Sequence, residues 1–189
     1  RIFERGPDRD PVPPGDREVH YPIFYIESTY PGYREEIGFD MGAVPEILAG
    51  FEKAVTTGTS VICTKTDVMM NARPAVAIIV PCHRKDFRPG TGGIKARAVQ
   101  GFAVAILQEE SLKASLLEKM GAEDWVLALH DVSNPGDAKP IVLGSSGRHM
   151  EGSWRSAFLP SPPRLSRSFA LADRMLRLEI TAGHDYMVR

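Results

Sequence analysis

Among side chains able to do chemistry, Cys82 and His83 are adjacent, and a thiol beside an imidazole is the raw material of nucleophilic catalysis. Neighbouring residues of a strand point to opposite faces, so this spacing keeps the two groups apart. His20, His130, His149 and His184 are scattered and show no metal-ligand spacing. Pro89 to Lys95 is glycine-rich but lacks the Gly-Lys-Ser/Thr of a phosphate loop, and it reads as a hairpin connection. Gly144-Ser145-Ser146-Gly147 fails the Gly-x-Ser-x-Gly spacing of a nucleophile elbow. No catalytic residue and no metal site is predicted.

Asp40 is different. The run Ile37-Gly38-Phe39-Asp40-Met41-Gly42 sets one carboxylate between two glycines and large apolar side chains, just ahead of a helix. Apolar neighbours imply burial, and a buried carboxylate must be paired or hydrogen-bonded, so Asp40 needs donors from the protein or from a ligand. Either it caps the following helix, for which Pro45 fits the first turn, or it recognises a ligand.

The elements around it follow from pattern. Arg1 to Glu18, with Pro7, Pro11, Pro13 and Pro14 among charges, predicts an extended linker. Tyr21 to Tyr30 has a strand's composition and Pro31-Gly32 turns it. Val44, Ile47, Leu48, Phe51 and Val55 form a helical stripe between Pro45 and Gly58. Ser60 to Thr64, Ala75 to Pro81 and Arg97 to Leu107 read as strands without intervening helices, so antiparallel pairing is expected, with the helix on one face. Glu109 to Met120 predicts a second helix stopped by Gly121. Beyond it, Trp125 to His130, Pro140 to Leu143 and one or two strands within Arg167 to Thr181 make a second small sheet. Arg84 to Lys95 and Gly144 to Pro163, rich in Gly, Pro and charge, are expected to be the most mobile interior stretches.

The 189 residues carry a net charge of −1, 43% hydrophobic and 25% charged side chains. That composition supports a real core and offers no basic surplus for nucleic acid. No apolar run approaches the roughly 20 residues of a membrane span. The chain starts at Arg1, which reads as a piece excised from a longer, membrane-anchored parent. Two cysteines, Cys63 and Cys82, are too few for a disulfide scaffold; two free half-buried thiols are expected, a bridge being the alternative if their strands are neighbours.

The order of Tyr21-Pro22, Gly38-Phe39-Asp40 before a helix, Ala54 through Thr57-Gly58 at its end, Pro81 closing a strand, and Arg97 with Gly101-Phe102 opening the next resembles the CHASE domain, the extracytoplasmic sensory domain of transmembrane histidine kinases and nucleotide cyclases. The resemblance is strong from Tyr21 to Leu117 and looser from Gly121 to Thr181. It implies an α+β fold of two PAS-like lobes, each a small antiparallel sheet with helices on one face: a linker over 1–20, a membrane-distal ligand-binding lobe over 21–117 and a membrane-proximal lobe over 118–189. It also implies a dimerising N-terminal helix, which Arg1 to Glu18 cannot supply.

The resemblance further implies a sensor without enzymatic activity or cofactor, placed in the periplasm as part of a homodimeric membrane receptor of histidine kinase or diguanylate cyclase type. Its ligand would be a small molecule, adenine-like or another small organic compound. By analogy with plant cytokinin receptors of the family, Asp40 would hydrogen-bond the ligand and Ile62 would contribute its backbone. Ile79 falls where those receptors place a pocket threonine, and Val104-Ala105 where they carry two glycines, which narrows the pocket and argues against cytokinin itself. Phe39, Tyr25, Ala103 and Val104 complete the implied ligand-binding set. A PAS-like module that binds nothing and only transmits or dimerises is the alternative, and a lobe filled by its own side chains would favour it.

Overall fold

The computed structural model describes residues 1–28, 33–66, 75–84, 99–120, 125–134, 139–145 and 163–182. The fold is α+β with antiparallel sheets, and the chain divides into two compact units, Arg1–Ile106 and Leu107–Arg189, a boundary eleven residues ahead of the one the resemblance implies.

In the first unit, Pro45 opens α1 (Pro45–Thr57) and Gly58 closes it in a left-handed conformation, its N–H returning to the Ala54 carbonyl. Both signals are those the sequence carries. Residues β3 (Val61–Thr66), β4 (Ala75–His83) and β5 (Val99–Gln108) form a sheet in that order, with β3 and β4 antiparallel in the register Val61↔Ile79, Ile62↔Ile78 and Cys63↔Ala77. The pleat then sorts side chains. Val61, Cys63, Ala77 and Ile79 join Ile47, Phe51 and Ala54 of α1 in one buried cluster, and Phe102, Val104 and Ile106 of β5 pack against it.

At Gly50 α1 lies close against this sheet. A Cβ there would stand 2.4 Å from the Cys63 Sγ and 2.6 Å from the Ile79 Cδ1. Cys63 is thereby fixed under the helix, while Cys82, an odd number of residues from Ala77, sits on the other face and is exposed. Both cysteines are free. Neither is half-buried, because the pleat places one wholly in the core and the other wholly outside.

The N-terminal residues depart from the expected linker. They fold into a short hairpin of β1 (Glu4–Arg5) and β2 (Pro11–Val12), and Phe3 bridges Phe39 in parallel. Tyr21 to Tyr30 is likewise not a ladder strand in its described part: Pro22 makes an isolated bridge to Asp40, and Ile23 exchanges backbone hydrogen bonds with Phe39 and Gly38. The reason is the partner's length, since the chain passes into a 3-10 turn at Met41–Ala43 immediately afterwards. Gly38 is required here, with φ at +97° and a hypothetical Cβ 2.4 Å from the Arg1 carbonyl oxygen.

In the second unit α2 (Glu109–Met120) covers the predicted helix and runs against β7 (Lys139–Ser145). The sheet order is β7, β6 (Trp125–Asp131), β9 (Arg174–Ala182), β8 (Arg164–Leu171), antiparallel throughout. Strands β8 and β9 are the strands expected within Arg167 to Thr181, two in number and starting three residues earlier, at Arg164. Glu179, buried in β9, accepts from Arg164, and that hydrogen bond holds its carboxyl below the usual range. Apart from Arg84, Gly144, Ser145 and Pro163, the stretches expected to be mobile lie outside the described residues.

Gly50→Ala sets a helix-propensity gain of about 1 kcal/mol against overpacking of about 1–3 kcal/mol. Because both contacts fall under 3 Å on side chains held in the core, overpacking prevails, and urea unfolding should show a net loss of about 1 kcal/mol that Cys63→Ala in the same chain partly restores.

Candidate functional site

Asp40 is fully buried, and four donors of the protein reach its carboxylate. Oδ1 accepts from the backbone N–H of Tyr21 at 2.8 Å and of Gly42 at 2.9 Å. Oδ2 accepts from Arg17 Nη2 at 2.9 Å and from His20 Nδ1 at 2.6 Å. Asp40 is indeed a cap, though of the 3-10 turn Met41–Ala43; the N-cap of α1 is Val44, which makes no side-chain bond.

Burial alone would raise the Asp40 carboxyl, and the Tyr21 N–H, Arg17, His20 and the Gly42 N–H outweigh it, so the group lies below its ordinary value. Arg17 is correspondingly raised, by its bond to Asp40 first. The same Nη2 also reaches Glu4 Oε1, which in turn accepts from the Gly15 N–H, so the β1–β2 hairpin is tied into the cluster. A second carboxylate does parallel work: buried Glu36 pairs with Arg5 at 3.1 Å, and Arg5 also lies over the Phe3 ring, 5.1 Å from its centroid.

Beside Asp40 the core is aromatic. Tyr21 stacks on Phe51 with centroids 4.4 Å apart, and Phe102 packs against both, 5.8 Å from Tyr21 and 4.5 Å from Phe51. Of the implied ligand set, Phe39 and Ile79 are buried in the cluster under α1, with Val104 packed against it. Ile62 is buried too, but its register with Ile78 puts its side chain on the sheet's other face. Ala103 is exposed on that other face, and Tyr25 is 76% exposed with its hydroxyl donating to Glu27. Phe39, Ile79 and Val104 therefore gather at one cluster, with Asp40 bonded to Tyr21, which packs against it; Ala103 and Tyr25 lie elsewhere, and the backbone role implied for Ile62 does not depend on the direction of its side chain.

Arg17, His20 and Tyr21 are the partners that sequence reasoning missed. A cation and an imidazole in a Pro-rich run look like solvated linker residues. The available signal was Tyr21-Pro22, since a proline at an extended edge marks a segment that pairs on one side only. Cys82 and His83 form no dyad: the thiol is exposed and 3.9 Å from the Val80 carbonyl, and the imidazole Nε2 is 3.4 Å from the Gly58 carbonyl.

Two deeply buried carboxylates of this mixed α+β chain, Asp40 and Glu36, are thus spent on holding the N-terminal residues in place. The chain matches the CHASE domain family over residues 2–141 of its 189 and belongs to that family. CHASE domains are extracellular sensory domains of signalling receptors and are not catalytic. The match begins nineteen residues before Tyr21, where the hairpin and Arg17 lie, and stops within β7. No curated protein matches the chain. Among the described residues no helix is long and apolar enough to cross a membrane.

Replacing Asp40 by Asn leaves Arg17 and two N–H groups without their anion, and should cost about 3 kcal/mol in urea unfolding at neutral pH. Because folding depresses the Asp40 pKa below its unfolded value of about 4, this stability is present above that value and lost as pH falls through the folded pKa. The gap between wild type and Asp40→Asn should thus stay constant from neutral pH to about pH 5 and close at more acid pH.

Proposed function

We propose that this chain is the small-molecule-sensing domain of a membrane-anchored, homodimeric receptor of histidine kinase or diguanylate cyclase type, with its two units as PAS-like lobes. The first is the membrane-distal one and takes the ligand on the extracytoplasmic, periplasmic side. What supports the reading is family membership together with a fully buried carboxylate, Asp40, directly after Phe39, which shares with Ile79 and Val104 the cluster beneath α1.

The ligand that suits these residues is small and partly apolar, with a hydrogen-bond donor for the carboxylate; an adenine-like compound has that character. Since Oδ2 already holds Arg17 and His20, a ligand reaching it exchanges places with one of them. Ile79 and Val104 fill volume that smaller residues would leave open, so the molecule is compact.

One observation favours a second reading. The Asp40 carboxylate has a protein donor in each of four directions, and Tyr21, Phe51 and Phe102 occupy the space beside it. A lobe so filled suits a module that transmits without binding.

Native mass spectrometry of the purified protein, followed by thermal melts with adenine-like and other small compounds, separates the two. A ligand at about 100 times its Kd should stabilise the native state by about 2.7 kcal/mol. Asp40→Asn, compared with its own unliganded midpoint, should weaken binding by about 1.5–3 kcal/mol. A molecule that shifts both proteins equally would remove Asp40 from recognition, and a protein that retains and accepts nothing would establish the transmitting role.

A further inference from the structure

Strand β8 ends the second sheet, and among the described residues nothing pairs with its outer edge. All eight of its residues are exposed. Its ladder to β9 runs without a bulge from Arg164↔Thr181 to Leu171↔Arg174, and no proline or glycine interrupts it. Soluble proteins usually blunt such an edge with short strands, bulges, prolines or inward charges, because a row of free N–H and C=O groups templates another strand. Here the edge is long and regular, and one of its faces carries Leu165, Phe169 and Leu171 at 67%, 40% and 38% exposure.

We propose that β8 is a homodimerisation edge, on which a second copy of this chain pairs its own β8 antiparallel to form a continuous eight-stranded sheet.

The sequence of the strand itself selects this occupant. A two-fold axis normal to the sheet keeps each face on its own side, so opposed residues must be separated by an even number of positions. Two registers use nearly the whole strand. Centring on Arg167 sets two guanidiniums directly opposite one another, which is repulsive. Centring on Ser168 sets Leu165 against Leu171 and Arg167 against Phe169 on one face, and Ser166 against Ala170 on the other, with Ser168 facing its own copy. Apolar residues then meet apolar residues, and each arginine meets an aromatic ring, a favourable pair. Arg167 thus serves two ends: it rejects the neighbouring register and it discourages unrelated strands, while being accommodated by a second β8. Seven paired residues from each strand make a small interface, so the dimer is a concentration-dependent one.

Sedimentation of the whole chain over a roughly hundredfold concentration range should show monomer passing into dimer. Ser168 is exposed and, among the described residues, its side chain has no bonding partner, so Ser168→Lys and Ser168→Glu should leave the melting midpoint in place. Each sets like charges opposite at the axis and should weaken dimerisation at least tenfold, whereas an equimolar mixture of the two should recover it. In a Cys82→Ser background, Ser168→Cys should give a covalent dimer on mild oxidation and Ser166→Cys should not. A chain that stays monomeric across the range, or a dimer indifferent to both charged variants, overturns the proposal.

Discussion

A carboxylate removed from water must be met on every side, and the first unit is arranged around meeting that demand at Asp40. Three of its four donors, the Arg17 guanidinium, the His20 imidazole and the Tyr21 N–H, come from a segment about twenty residues earlier in the chain. An uncompensated buried charge costs several kcal/mol, so the segment cannot leave without exposing or neutralising the carboxylate. A proline-rich stretch with little apolar surface of its own is held against the core by this means. Hairpin β1–β2 is drawn in behind it through Glu4 and Arg17, and the Arg5–Glu36 pair repeats the device at a second point.

The same economy bears on sensing. A carboxylate that takes three of its four donors from one segment couples that segment's position to whatever else can offer a donor there. A donor that displaced Arg17 or His20 from this carboxylate would loosen the segment that carries them. Differential binding of this kind, and not the tightness of any single contact, is what shifts a conformational equilibrium.

The second unit relies on backbone ladders, with polar pairs placed where they steady the ends of strands. Asp131 accepts from the Ser133 N–H and hydroxyl and from Arg174, closing the turn after β6 against the start of β9, while Glu179 is held by Arg164 across to β8. These pairs fix the register of β6, β9 and β8 but leave the outer side of β8 unpaired among the described residues, and a sheet with a long straight edge is open to extension.

Element types were legible in the chain because they depend on neighbours in sequence. The stripe from Val44 to Val55, with Pro45 at its start and Gly58 behind, determines α1 within a residue, and short apolar, β-branched runs determine β3, β4 and β6 nearly as well. Asp40 could be singled out by its apolar flanks alone. Its partners could not, since Arg17 and His20 lie 23 and 20 residues away and carry no periodic signal of their own; only the path of the chain, turned by Gly38 at positive φ beside Arg1, brings them to one carboxylate. The same holds for the implied ligand set. Whether Ile62 and Ile79 share a face is decided by strand register, which pairs Ile79 with Val61 and sends Ile62 to the opposite side. Local sequence determines what each segment becomes because a turn or a pleat is a short-range object; which charged groups meet, and which face each side chain takes, is decided by packing between segments, which exists only in the tertiary structure.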